Sequence, residues 1–134
     1  MMNTLNVRTR SKVEFQNITR AVQEIVDSSD IESGVCHLFV PHTTAAVILN
    51  EQADPSVVED IAAQLEAVAP QHDDYRHSEG NAPAHIKAAI CGSSQTVLVE
   101  DGRLVLGTWQ GIFFCEFDGP RNRGLLVKIV PDKL

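Results

Sequence analysis

The sequence lacks the long apolar segments that membrane proteins carry. No stretch of the 134-residue chain approaches the roughly 20 consecutive apolar residues that cross a bilayer as a helix. Residues 1–11 are polar and of mixed charge, so they lack the apolar stretch of a secretory signal. We therefore expect a soluble, cytoplasmic protein that has no membrane as a partner.

Cysteine is scarce and is not arranged as a disulfide framework. Cys36, Cys91 and Cys115 are odd in number, lie far apart, and are each surrounded by apolar residues. This pattern is typical of reduced cysteines in a hydrophobic core. Residue types that mark a flexible linker are also lacking, and no internal repeat is present. One domain spanning residues 1–134 is expected.

An excess of positive charge is absent as well. The formal net charge is −7 and the sequence pI is about 5.1, which is the wrong sign for a protein that neutralises phosphates over a broad surface. Nucleic acid is therefore excluded as an expected partner. A few clustered arginines could still hold one small anionic or phosphorylated metabolite in a pocket.

Three segments have apolar residues at the three- and four-residue spacing of amphipathic helices. The first follows Asn17, which is placed to cap it, and the second follows Asp54, with proline at its first position. The third runs from Asn81, the expected cap, to Gly92, where a glycine ends helices well. The sequence therefore predicts three helices.

The strands are predicted from apolar runs and turn residues. Residues 5–15 alternate loosely and indicate one edge or half-buried strand, while residues 35–40 are nearly all apolar and indicate a central strand covered on both faces. Residues 45–49 are interpreted as the partner of that strand. Asp101-Gly102 predicts a tight hairpin turn between the segments on either side.

A second hairpin is predicted from residues 112–117 and 125–130. The total is about six or seven strands and three helices, and the strands are concentrated towards the C-terminus instead of alternating with helices. This order predicts the α+β class, with a largely antiparallel or mixed sheet.

Histidines and carboxylates form the candidate chemistry. His42 lies on a turn between strands, and His77 and His85 lie eight residues apart across a loop and a helix start, so the three imidazoles could converge on one metal ion. The alternative is that they are solvent-facing loop and cap residues. Glu116 and Asp118 are two residues apart on a strand, where alternation places both carboxylates on one side.

Each further candidate has a structural alternative. Arg121 and Arg123 follow the two carboxylates, so a salt bridge at a turn explains them equally well. Trp109 lies between two glycines and suits either a ligand-binding segment or a packed strand corner. The sequence contains no nucleotide-binding glycine loop, serine hydrolase elbow or zinc protease motif, which excludes those enzyme classes in their usual forms.

Several short blocks together resemble the YjbQ family over nearly the whole chain. These blocks are His42-Thr-Thr-Ala, Asn50-Glu-Gln-Ala-Asp-Pro55, His77, Ala84-His85-Ile86, Leu106-Gly-Thr-Trp-Gln-Gly111 and Glu116-Phe-Asp-Gly-Pro-Arg121. The resemblance implies a compact α+β fold, a homotrimer, and a pocket close to a subunit interface. It also implies a weak thiamine-phosphate synthase activity, which joins a pyrimidine diphosphate to a thiazole phosphate, as a side activity.

The resemblance also carries a set of expected site residues. In the first hypothesis a divalent metal is held by His42, His77 and His85, and the anion is bound with Arg121, Thr43 and Asn81. The expected catalytic residues are Asn50, Glu51, Gln110, Glu116 and Asp118, with a glutamate handling protons. Three histidines suit Zn²⁺ better than the Mg²⁺ that a departing pyrophosphate favours.

Three functions consequently stay open. The chain is expected to be a small-metabolite enzyme with thiamine-phosphate synthase activity, or a metal-dependent hydrolase of a small phosphorylated molecule. It could instead be a non-catalytic trimeric module that binds a metabolite or metal. In a further alternative the polar residues only hold the trimer together.

Overall fold

Eight strands and three helices make up the structure, a computed structural model that describes residues 2–133. The helices are α1 (Thr19–Ser29), α2 (Pro55–Val68) and α3 (Ala82–Cys91). The strands are β1 (Met2–Arg8), β2 (Glu14–Asn17), β3 (Gly34–Phe39), β4 (Ala45–Glu51), β5 (Ser94–Glu100), β6 (Arg103–Leu104), β7 (Gln110–Glu116) and β8 (Asn122–Pro131). The predicted α+β class is confirmed.

The strands form two antiparallel sheets. Sheet A has the order β1-β8-β3-β5-β6, and sheet B has the order β2-β7-β4. The main core lies between the inner faces of the two sheets and α1, where Val22, Leu38, Phe114 and Val127 are all buried. Apolar burial of this kind is the main stabilising contribution to the fold.

A second core lies on the other face of sheet B. Phe113 and Cys115 of β7 pack there against Ala84 and Ala88 of α3, with apolar residues of α2 alongside. Strand β7 is therefore covered on both faces, by sheet A on one side and by helices on the other. This double burial explains its continuous apolar sequence, Ile112 to Cys115.

The predicted strand partners were wrong in three places. Residues 5–15 form two strands in different sheets, β1 and β2, instead of one strand. Strand β4 pairs with β7 and not with β3, and β7 and β8 lie in different sheets instead of forming a hairpin. In each case a short polar connection carries the chain from one sheet to the other. A short polar connection has the same sequence pattern whether it forms a hairpin turn or carries the chain into the other sheet.

Strand β3 also differs from its prediction, since residues 2–133 cover only one of its faces. Cys36 and Leu38 are buried, but His37 and Phe39 point away from the core and are exposed. Val35 lies on the same outer face between Leu98 of β5 and Val130 of β8. The outer face of sheet A therefore presents a cross-strand row of apolar side chains.

The element ends follow the predicted local chemistry except at the starts of α1 and α3. The cap position of α1 is Ile18 instead of the predicted Asn17, although Asn17 Oδ1 accepts from the backbone N–H of Thr19 at 3.0 Å. Asp54 caps α2, because its Oδ1 accepts hydrogen bonds from the backbone and hydroxyl of Ser56 at 3.0 and 2.7 Å. Gly92 ends α3 with a φ of 94°. Asn81 occupies the cap position of α3, but its side chain makes no capping bond. The second helical residue is Pro83, which has no N–H to donate to that cap.

Two further predictions concern the hairpin and the cysteines. Asp101 and Gly102 both have positive φ, at 52° and 73°, and they join β5 to β6 as predicted. Cys36 and Cys115 are buried, Cys91 is half-buried, and all three are free thiols. Among residues 2–133 no helix is long and apolar enough to cross a membrane.

Candidate functional site

A polar cavity of about 620 Å³ opens where the two sheets meet. Its walls come from the end of β3 and the following loop, the start of α3, the turn after β7, and the start of β8. Six of the residues predicted from the sequence line it: His42, Thr43, Asn81, His85, Asp118 and Arg121. Segments that are far apart in the chain therefore converge on one site.

A buried ion pair between Glu116 and Arg123 forms the floor beneath this cavity. Glu116 is completely buried, and its Oε1 accepts bonds from Arg123 Nε at 2.8 Å and from Thr9 Oγ1 at 2.7 Å. Its Oε2 accepts from Arg123 Nη2 and from the backbone N–H of Asp118. Arg123 also donates to Thr44 Oγ1 at 2.8 Å. The pair thus ties together four segments that carry the site.

The charge on Glu116 is maintained by these donors. Burial by itself raises the pKa of the carboxyl, but the hydrogen bonds from Arg123, the Asp118 backbone and Thr9, with the positive charge of Arg123, outweigh burial and lower it. Glu116 is not among the residues that line the cavity. The geometry therefore gives this predicted proton carrier the position of a supporting group, with every oxygen engaged.

Asp118 lies at the cavity wall and is held from two sides. Its Oδ2 accepts from Asn81 Nδ2 at 2.9 Å and from Arg121 Nη2 at 3.1 Å, and its backbone carbonyl accepts from Arg121 Nε at 2.8 Å. Burial raises the pKa of Asp118, but the bonds from Asn81 and Arg121 outweigh burial and lower it. Asp118 is consequently ionised and fixes the direction of the Arg121 guanidinium.

Asn81 is oriented by the same contact. Since its Nδ2 donates to Asp118, its Oδ1 must point elsewhere, and this buried oxygen has no hydrogen-bond partner among residues 2–133. A buried acceptor without a donor is costly, and such groups are rare in folded proteins. The interaction with Asp118 therefore replaces the capping role that the sequence predicted for Asn81.

His42 is held by the first residues of β8. His42 Nε2 lies 3.1 Å from the backbone nitrogen of Gly124 and 3.2 Å from its carbonyl oxygen, so the Gly124 main chain can bond either neutral tautomer of the ring. Burial and the positive charge of Arg123 lower the pKa of His42. His42 is therefore a neutral side chain at pH 7.

The other two histidines lie side by side. The rings of His77 and His85 meet edge to face with centroids 5.3 Å apart, and only His85 is part of the cavity wall. His77 Nε2 is 4.0 Å from Glu79 Oε2. Among the residues that the structure describes, no three His, Cys, Asp or Glu side chains are placed to hold a metal ion.

Three of the predicted catalytic residues lie at the opposite end of sheet B. Glu116 faces Ala45 at one end of the β4–β7 ladder, and Gln110 faces Glu51 at the other end. Six residues of strand separate these ends, a distance of about 20 Å. Asn50, beside Glu51, belongs to the far end too. The structure therefore does not bring this group to the cavity within one chain.

The side chains at the far end support their own loop. Glu51 Oε2 accepts from the backbone N–H of Ala53 at 3.0 Å, and Gln110 Oε1 accepts from the backbone N–H of Gly107 at 2.8 Å. Trp109, which was predicted to cover a ligand or to pack in a corner, is 63% exposed. These contacts explain the polar residues of the two motifs as loop-stabilising groups.

Sequence reasoning missed two residues that hold the site together. Thr9 donates to Glu116 and accepts the backbone N–H of Arg121 at 2.8 Å, and Thr44 accepts from Arg123. Thr9 is only 3% exposed although arginines flank it on both sides. The only sequence signal for Thr9 was a small residue between two charged neighbours. This pattern is too short to be distinguished from an ordinary edge strand.

The two-sheet α+β fold, with a polar cavity where the sheets meet, defines the structural class of the protein. The chain belongs to the YjbQ family, since the family model described as UPF0047 protein YjbQ-like matches residues 3–132. The UPF0047 protein YugU of Bacillus subtilis is 47% identical over 131 residues, which cover 97% of this chain and 99% of YugU. A UPF0047 protein of Methanocaldococcus jannaschii is 44% identical and covers 99% of this chain and 96% of its own length.

Solved structures of relatives have the same fold. A YjbQ/UPF0047 family protein of Clostridium acetobutylicum superposes with a TM-score of 0.93 at 48% identity and covers 96% of this chain and 99% of its own. A YbjQ-like protein of Sulfolobus solfataricus superposes with a TM-score of 0.94 at 36% identity, over 98% of this chain and 97% of its own. The resemblance stated from the sequence is confirmed at the level of the family.

Proposed function

We propose that the chain is an enzyme that binds a small anionic or phosphorylated metabolite in the cavity at His42. The observation that carries this proposal is the convergence of different chemistries at one cavity. A neutral imidazole at His42, an ionised carboxylate at Asp118 and a guanidinium at Arg121 all line the same wall region. Such a mixture of donors, acceptors and charge is typical of small-molecule sites.

Arg121 is the anion-binding group in this proposal. Its side chain is 52% exposed, and the Nη1 nitrogen has no hydrogen-bond partner among residues 2–133, so a ligand can reach it. Asp118 holds Nε and Nη2, which fixes the plane of the guanidinium before a ligand arrives. A planar, fixed guanidinium matches the geometry of phosphate oxygens. Thr43 and His42 line the same cavity and supply further polar groups.

His85 is the group that we propose to move a proton. It lines the cavity, and imidazole is the side chain that most often exchanges protons near neutral pH. Its neighbour His77 packs edge to face against it and limits its rotation. Glu116 supports the site from below, because its oxygens are already fully engaged.

The activity to test first is the joining of a pyrimidine diphosphate to a thiazole phosphate. Arg121→Gln and His85→Gln should each lower the rate of product formation at least tenfold, whereas Arg20→Gln, on the exposed surface of α1, should leave it unchanged. If all three variants retain the wild-type rate, the cavity is not the catalytic site. A wild type that binds both substrates without forming product would indicate a non-catalytic binding module instead.

The divalent metal and the homotrimer both remain predictions. Metal analysis of protein purified without a chelator, compared with His77→Ala and His85→Ala, tests the first; equal metal content in all three samples would reject histidine ligation. Sedimentation velocity at several concentrations tests the second. A divalent metal held by these histidines is also what a metal-dependent hydrolase would require.

A further inference from the structure

A second cavity, of about 570 Å³, adjoins the first and is lined by six residues, namely Arg8, Thr9, Arg10, Pro120, Arg121 and Asn122. Three of these residues are arginines and none is acidic, although the chain as a whole has a formal net charge of −7. We propose that this arginine cavity is a binding site for an anion of the phosphate class.

The main chain around the arginine cavity is firmly held. Arg8 faces Asn122 in the β1–β8 ladder, and Thr9 N–H donates to the Arg121 carbonyl at 2.9 Å. Arg121 N–H donates in turn to Thr9 Oγ1 at 2.8 Å. Thr9 is also bonded to the buried Glu116, so both walls of the cavity are anchored to the core of the protein. The arginines therefore project from a rigid support.

Alternation along the chain places two arginines on the same side. Thr9 is buried, and its neighbours Arg8 and Arg10 are both exposed. In extended chain, residues two apart point to the same side, so the two side chains point away from the core on either side of Thr9. Arg121 reaches the cavity from the opposite wall.

The charge of these arginines is incompletely balanced. Among residues 2–133, the guanidinium groups of Arg8 and Arg10 make no ion pair and no hydrogen bond, while Arg121 is bonded to Asp118. Glu14 is the acid near Arg10, but its carboxylate accepts from the backbone N–H groups of Arg10 and Ser11 and from a glutamine. These bonds, the one from the Arg10 backbone first, and the weaker effect of the Arg10 charge outweigh burial and lower the pKa of Glu14.

Like charges that share a cavity favour a bound anion, because the anion removes their mutual repulsion. Phosphate oxygens accept in pairs from planar guanidinium groups, and several arginines can bind one phosphate at once. A carboxylate offers only two oxygens, which is fewer than three arginines can engage. Arginine chemistry therefore favours phosphate and pyrophosphate over simple carboxylates.

The arginine cavity does not require the proposed function to be correct. Arg8 and Arg10 line only this cavity, and His42 and His85 line only the other. Arg121 lines both, so an anion bound here would lie next to any ligand in the first cavity. The two sites can therefore be tested with variants that do not overlap.

The test is calorimetric titration of the full chain with inorganic phosphate, pyrophosphate and glycerol phosphate at low and high salt. Arg8→Gln/Arg10→Gln should weaken the binding of at least one of these anions about tenfold or more, and added salt should weaken binding to the wild type. Glycerol phosphate separates a site for organic phosphates from one for the inorganic ions. Circular dichroism and thermal unfolding establish that the variant is folded.

The matched control is Arg20→Gln/Lys128→Gln, which removes the same two charges from exposed positions elsewhere. It should bind the anions as the wild type does. Equal weakening by both double variants would mean that only net charge matters, and this would overturn the proposal, as would the absence of binding by the wild type. If His85→Gln loses binding while Arg8→Gln/Arg10→Gln binds as the wild type does, the anion lies in the first cavity. This result would also overturn the proposal.

Discussion

Replacing Arg123 with methionine should strongly destabilise the protein. The change removes three of the hydrogen bonds that the buried pair depends on and leaves Glu116, which is 0% exposed, without a counter-charge. Breaking a buried ion pair by removing one partner costs about 3–5 kcal/mol. For a chain of 134 residues, 1 kcal/mol corresponds to about 3.5 °C in the unfolding temperature. We therefore expect a decrease of about 10–18 °C.

The pH dependence of stability distinguishes an unpaired buried charge from a simple loss of packing. In the wild type the pKa of Glu116 is lowered by folding, so the pair stabilises the protein above the ordinary value of about 4.3 and this contribution is lost as the pH falls. Without Arg123, burial dominates and raises the pKa. Protonation then relieves the penalty, so the gap in unfolding temperature should be largest at pH 7 and should narrow towards pH 4.

Two further variants complete the assay, which is thermal unfolding followed by circular dichroism at several pH values. Arg121→Met makes the same chemical change at a half-exposed site and should cost below about 1 kcal/mol. Glu116→Gln/Arg123→Met removes both charges and should recover about 2 kcal/mol or more of the loss. A gap that stays constant from pH 4 to pH 7, or a double variant less stable than Arg123→Met, would refute the reasoning.

Three other predictions concern single positions. Gly34→Ala should cost more than about 2 kcal/mol in denaturant unfolding, because the added Cβ would collide with the backbone carbonyl of Val130. Gly124→Ala should cost below about 1 kcal/mol, because its Cβ would meet only the Thr4 methyl group at van der Waals distance; equal losses would contradict this. Thr9→Val should cost about 1–3 kcal/mol, since it leaves buried polar groups without a partner, and Thr9→Ser should restore most of that loss; a valine variant as stable as the serine variant would contradict this. His42 should titrate below about 6.5 in an NMR experiment, because burial and the charge of Arg123 lower its pKa. Its neutral form then stabilises the fold above that pH, and this contribution is lost as the pH falls through the lowered pKa; a higher titration midpoint would contradict the buried position beside Arg123.

The features that the sequence predicted well depend on a few adjacent residues. The Asp54 cap with its following proline, the glycine end at Gly92 and the Asp101-Gly102 turn are each determined by backbone chemistry within one turn of chain. The helices follow from apolar residues at three- and four-residue spacing, a pattern that lies within one segment of the chain. These elements were therefore predicted in the correct places.

Strand pairing was predicted less well because it depends on residues far apart. Nothing within residues 41–44 distinguishes a hairpin turn from the step that carries the chain from sheet A to sheet B. The apolar run of β3 has the composition of a doubly covered strand, yet no part of the described chain, residues 2–133, covers its outer face. Contacts between distant segments therefore determine both the pairing of β4 and the exposure of the outer face of β3.

The site was predicted in part for a similar reason. The family blocks identified the residues that line the cavity, among them His42, His85 and Arg121, but the blocks do not state how far apart they lie in space. Antiparallel pairing of β4 with β7 places Asn50 and Gln110 at the far end of the sheet. Residues that belong to the same set of family motifs can therefore lie far in space from the cavity to which the sequence assigned them.

The buried position of Glu116 has a consequence for genetic work on this family. A screen that scores loss of activity would rank substitutions at Glu116 and Arg123 as highly as substitutions at a residue that touches the ligand. Soluble yield and melting temperature would separate the two groups, because a variant at Arg121 should keep both while a variant at Arg123 should lose both. Tolerance to mutation, read alone, would therefore assign the candidate site to the buried ion pair instead of to the residues that line the cavity.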